Sequence, residues 1–131
     1  EVQMSIVNKT RRDVNSRHTQ AHNLMQQSVA LNAILQSPEY MNCLTIDKAY
    51  VNSIAANIIN DFNVAVANLT TYDASLNAFN SRQLSLVDHV PLLNLDQLYI
   101  AWCDHYTNII TPAICTLVDY IQSHFGVVVN G

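Results

Sequence analysis

Apolar residues recur along the chain three and four positions apart, the period of a helix that buries one face. At about 100° per residue, Ile6, Val7, Val14, Ala21, Leu24, Met25, Val29, Leu31 and Leu35 share one broad arc. This predicts a first helix from about Val2 to Gln36. Ser37-Pro38 should end it, because the residue before proline avoids helical backbone angles. A connector over Glu39 to Leu44 follows, and Thr45 stands where its hydroxyl can cap the next helix. The stripe resumes with Tyr50, Val51, Ile54, Ala55, Ile58, Phe62 and Leu69, flanked by Ile59 and Val66. Thr70-Thr71 is the expected interruption, with Leu76 and Phe79 carrying the pattern on to about Asn80.

Ser81 to His89 reads as a short helix bearing Leu84, Leu86 and Val87, and Pro91 separates it from the next. Asn94 is the candidate cap of a helix with Leu95, Leu98, Tyr99, Trp102, Cys103, Tyr106 and Ile110. Thr111-Pro112 should stop or kink the chain. Proline suits a first helical turn, so a last helix can start there with Ile114, Cys115, Val118, Ile121 and Phe125, closed by Gly126. Val127 to Val129 is left as a short apolar tail. The pattern predicts an all-α fold: a four- to five-helix antiparallel bundle with short connections, in one domain over residues 1–131.

Composition agrees with that reading. Two Gly and three Pro cannot supply the frequent turns of an all-β domain. Half the residues are hydrophobic and 12% are charged, against about 25% charged in a typical domain. The apolar content rules out intrinsic disorder. It is also more than the core of one small bundle obviously needs. The net charge of −4 argues against nucleic acid as a partner, which requires clustered positive charge. Lys9, Arg11, Arg12 and Arg17 are the exception to this balance, giving the first 18 residues a net +2. No apolar run approaches the ~20 residues of a transmembrane segment. The start of the chain has no apolar leader region, so the sequence is expected to be a mature or trimmed form. The triplets Asn8-Lys9-Thr10 and Asn68-Leu69-Thr70 are N-glycosylation acceptors and support a secreted, extracellular protein.

Several constellations could carry chemistry. His18 and His22 stand at i, i+4, which puts two imidazoles on one helix face, as a helical metal site requires. A third ligand would have to come from another helix, with Cys103, Asp104 or His105 as candidates. Lacking an acidic residue between the two histidines, the pattern stays a weak metal candidate, and no cofactor is assigned. Arg17 projects toward the apolar arc and Arg11 borders it. Either Arg17 or Arg11 meets the acidic head of an apolar ligand, or the long side chain reaches the surface or pairs with an Asp. Cys43, Cys103 and Cys115 are an odd set. On one continuous helix Cys103 and Cys115 lie about 18 Å apart, whereas a disulfide needs Cα atoms within about 7 Å. Cys43 with Cys103 or Cys115 is therefore the expected pair, with three reduced core cysteines as the alternative. Tyr99, Trp102 and Tyr106 form an aromatic stripe that either fills the core or lines a pocket.

Nucleophilic catalysis has no support: there is no G-x-S-x-G elbow, and two Gly cannot build a phosphate loop. The leading expectation is a non-enzymatic secreted bundle that holds an apolar small molecule, such as a lipid or fatty acid, between its helices. Arg11, Arg17 and His18 would orient its polar head, and Met25, Tyr99, Trp102 and Tyr106 would line the cavity. The alternative is a homodimer joined through apolar helix faces. A metal or cofactor site at His18 and His22 comes third.

Overall fold

The computed structural model describes residues 3–26 and 45–125, with side chains described there except at positions 45–48, 50, 51, 121, 122, 124 and 125. Every regular element is helical. Helix α1 spans Met4–Gln26 and α2 spans Thr45–Asn80. A single 3-10 turn at Leu86–Asp88 leads into α3, His89–His105. A π-helical turn at Tyr106–Ile110 joins α3 to α4, Thr111–Phe125. Residues 105, 106 and 111 all keep right-handed helical angles. The last three elements are thus one continuous rod, and the described residues form three rods rather than four or five helices.

Three expected breaks fail for identifiable reasons. Thr70 and Thr71 lie inside α2, where their hydroxyls donate to the carbonyls of Val66 and Ala67 one turn back. That bond lets a threonine sit mid-helix without an unsatisfied hydroxyl. Pro91 falls in the first turn of α3, where an amide hydrogen has no intrahelical acceptor to lose. Asn94, expected as a cap, is an exposed interior residue of the same helix. Pro112 has no N–H and its ring crowds the carbonyl four residues back. The preceding turn widens instead of breaking, and the Thr111 amide donates to Tyr106 O five residues back. The expected helix at Ser81 to His89 shrinks to the one 3-10 turn, with Leu84 buried but Leu86 and Val87 exposed.

The core is a set of seams with the three–four spacing of a coiled coil. On α1 it comprises Val7, Thr10, Val14 and Ala21, with Leu24 and Met25 partly buried against it. On α2 the seam runs Ala55, Ile58, Phe62, Ala65, Leu69, Tyr72, Leu76 and Phe79. The third rod adds Leu92, Leu95, Tyr99, Trp102, Tyr106 and Ile110, then Ile114 and Leu117 beyond the π turn. Full burial of each large apolar side chain is worth about 1.5–3 kcal/mol. Ile6, which the pattern placed in the core, is 42% exposed, as is Leu98 at 44%. Thr10 satisfies its buried hydroxyl on Ile6 O.

Cross-contacts fix the topology. Asn15 meets Asn80 and His22 meets Asp73, so α1 and α2 run antiparallel. Tyr99 meets Asp73 and Trp102 meets Ala65, so α2 and α3 are antiparallel too. The turn between them is locked by Arg82, whose guanidinium holds both Asp88 carboxylate oxygens at 2.8 Å. The Ser85 amide donates to Asp88 as well. Positions 27–44, which hold Val29, Leu31, Leu35, Ser37-Pro38, Cys43 and the expected connector, lie outside the described residues. So do the Thr45 side chain, Gly126 and the tail after it. Among the described residues no helix is long and apolar enough to cross a membrane.

Candidate functional site

Two places combine polar groups with the helix seams. The first joins all three rods. His18 and His22 project from α1 toward Asp73 on α2. His22 Nε2 lies 2.7 Å from Asp73 Oδ2, and His18 Nε2 lies 3.3 Å from Oδ1. The imidazole centroids are 4.4 Å apart with planes inclined at 52°. From α3, the fully buried Tyr99 donates its hydroxyl to Asp73 Oδ1 at 2.7 Å. Its ring meets His18 edge-on at 6.1 Å and Tyr72 edge-on at 5.7 Å. Burial and the adjacent carboxylate raise the Tyr99 phenol well above the ordinary tyrosine range, so it stays a donor. The i, i+4 spacing of the histidines was legible in the sequence. The acceptor was not: Asp73 lies 51 positions from His22, and Cys103, Asp104 and His105 are not its equivalents.

The second is a groove of about 260 Å³ between α2 and α3. Val64, Ala65, Leu98, Ala101 and Trp102 form its apolar surface, and Asp61, Asn68, Tyr72 and His105 supply its polar edge. Trp102 is fixed twice. Its indole N–H donates to Ala65 O at 2.8 Å, and its ring stacks on Tyr106 with centroids 4.8 Å apart. Tyr106 is itself fully buried behind the groove. Among the described residues no Lys or Arg lines it.

The remaining expected site residues stand elsewhere. Arg17 Nε lies 3.6 Å from Asp96 Oδ1. Arg11 reaches the Phe79 carbonyl at 3.5 Å. Arg17 thus stands beside an Asp and Arg11 beside a backbone carbonyl, and neither they nor His18 are among the described residues that line the groove. Met25 packs partly buried against the core from α1, away from the groove residues. Cys103 is buried and Cys115 exposed, both as free thiols, and Cys43 lies outside the described residues. Burial, with Asp104 adding to it, pushes the Cys103 thiol up. Asn8 is partly buried on α1, and Asn68 is exposed on α2 at the groove. No protein-family model, curated protein or solved structure matches the chain.

Proposed function

We propose that this chain is a non-catalytic binding protein that takes an apolar small molecule in the groove between α2 and α3. The observation that carries the reading is the groove itself: an apolar floor over Val64, Leu98, Ala101 and Trp102 with Asp61 at its edge. Its volume falls just below the roughly 300–1,000 Å³ of typical ligand pockets. It suits one ring system or a short acyl segment rather than a whole fatty-acid chain. The charge pattern refines the ligand further. Among the described lining residues Asp61 carries the formal charge, so a polar end that is a hydrogen-bond donor or a cation matches the groove best. Apolar contact would supply about 25 cal/mol per Å² buried, less ordering costs.

Extraction of the purified protein with organic solvent, followed by mass spectrometry, tests this. A stoichiometric amphiphile in the extract supports it. An empty extract, with no displacement of a fluorescent apolar dye by neutral or cationic amphiphiles, sinks it. Displacement by fatty acids alone contradicts the charge argument.

The same reading places the protein outside the cell, on the strength of the acceptor triplets at Asn8 and Asn68. With Cys103 and Cys115 both free thiols, glycosylation is the main support for that placement. A glycan on Asn68 would stand at the groove and compete with a ligand, so peptide mapping of that site bears on both claims.

A second reading, self-association into a homodimer, is favoured by a different observation. Leu86, Val87, Val90 and Leu93 expose apolar surface at the start of the third rod, Val87 to 81% and Val90 to 62%. Light scattering that returns twice the chain mass, reduced by Val87→Lys with Val90→Lys, supports it; a monomer at all concentrations excludes it.

A further inference from the structure

The cluster at the junction of the three rods does not belong to the groove. We propose that His18, His22 and Asp73 form a binding site for a divalent transition ion, with Zn²⁺ the best-suited species and Tyr99 as the residue that positions the carboxylate.

The argument starts from donor geometry. The candidate ligand atoms of His18, His22 and Asp73 all lie within 4.8 Å of one another. Zinc bonds of about 2.0–2.1 Å in tetrahedral array separate neighbouring donors by about 3.3–3.4 Å. His18 Nε2 and Asp73 Oδ1 already stand 3.3 Å apart. His22 Nε2 stands 2.7 Å from the other oxygen, Oδ2, so the carboxylate must turn to present one oxygen to both imidazoles, which lie on one face of one helix and converge by side-chain rotation.

Chemistry narrows the ion. Two imidazoles and one carboxylate suit borderline divalent ions, whereas calcium and magnesium take oxygen donors. The three side chains are 36%, 34% and 22% exposed, so a fourth position faces solvent and is available to water. The protein provides the outer support that metal carboxylates usually have. Tyr99 OH anchors Asp73 Oδ1 from the buried side and leaves Oδ2 toward His22. On binding, the ion takes the place of the hydrogen shared between imidazole Nε2 and carboxylate, and each ring keeps its one proton on Nδ1, so the imidazoles coordinate as neutral ligands.

Calorimetric titration of Zn²⁺ into the full chain, first stripped with chelator, tests the site. One equivalent binds, with a saturating heat. His18→Gln and His22→Gln keep a hydrogen-bonding group near Asp73, yet each lowers affinity at least tenfold. Tyr99→Phe lowers it by about 10–100-fold, the usual cost of removing a supporting partner. His89→Gln, outside the cluster, leaves it unchanged. In the unsubstituted protein, the imidazole nitrogen resonances of His18 and His22 shift on zinc addition and those of His89 and His105 do not. Equal affinity in the His18→Gln, His22→Gln double variant overturns the site, as do shifts spread evenly over these four histidines. Either result leaves the groove reading untouched, because none of His18, His22, Asp73 and Tyr99 is among the residues that line it.

Discussion

Tyr99 and Asp73 are joined by a 2.7 Å hydrogen bond between the fully buried phenol of α3 and a carboxylate of α2 that both α1 histidines also approach. This bond ties the centre of the core to a polar cluster that opens on solvent. Tyr99→Phe should keep the packing and lose the bond, costing about 1.5–3 kcal/mol, the range for a hydrogen bond to a charged group. Urea unfolding of the two proteins measures the difference. Spectrophotometric titration should show Tyr99 ionising only when the protein unfolds in alkali, and Tyr99→Phe should lower the amplitude of that late step by one tyrosine.

The Arg82–Asp88 lock predicts a pH dependence. The Arg82 guanidinium and the Ser85 amide hold the Asp88 carboxyl at about 2. Its folded value lies below the unfolded one, so its stabilisation is present above about pH 4 and drains away as pH falls toward 2. Asp88→Asn should melt at a lower temperature than the parent at pH 6, and the gap should close by pH 2. A gap that stays constant with pH would mean the carboxylate charge contributes nothing.

Trp102 holds the groove floor through one hydrogen bond and one ring stack. Trp102→Phe should lose about 1 kcal/mol for the missing N–H donor, and Trp102→Ala about 3–5 kcal/mol for the cavity it leaves. Chemical denaturation followed by far-ultraviolet circular dichroism measures both, since the substitutions remove the chain's one Trp.

The two described thiols should differ in reactivity. Cys115 is exposed, whereas Cys103 is buried with its thiol pushed up, and only the thiolate attacks an alkylating agent. Iodoacetamide at pH 8 should label Cys115 quickly and Cys103 only after denaturant is added, as peptide mass mapping would record. Equal labelling rates would place Cys103 at the surface.

Much of the fold was legible because periodicity records burial directly. Val7, Val14 and Ala21, or Leu69 and Leu76, recur with the helix period and are buried. Breaks were less legible. Thr70 and Thr71 look like a boundary only until their hydroxyls find carbonyls one turn back, and Pro112 only until a π turn makes room for it. These are side-chain and backbone accommodations within one helix that residue propensity alone does not encode. The polar cluster was half legible: His18 and His22 are neighbours on one helix, but Asp73 joins them only through the antiparallel packing of α1 on α2. The same packing gives Arg17 its partner Asp96 on α3, a neighbour 79 positions away that the sequence does not mark. Of the groove's own polar residues, Asp61 and His105 carry no motif and Asn68 only that of a glycosylation acceptor, so the groove emerges only once α2 and α3 are laid side by side.

Binding in the groove is the central claim, and Trp102 reports on it directly. Its emission should change saturably, at one equivalent, when a neutral or cationic apolar ligand is titrated into the protein. Ala101→Phe fills the groove from an exposed position of α3 and should abolish the change without lowering the melting temperature. A Trp102 signal that never saturates, or one that persists unaltered in Ala101→Phe, would contradict the account.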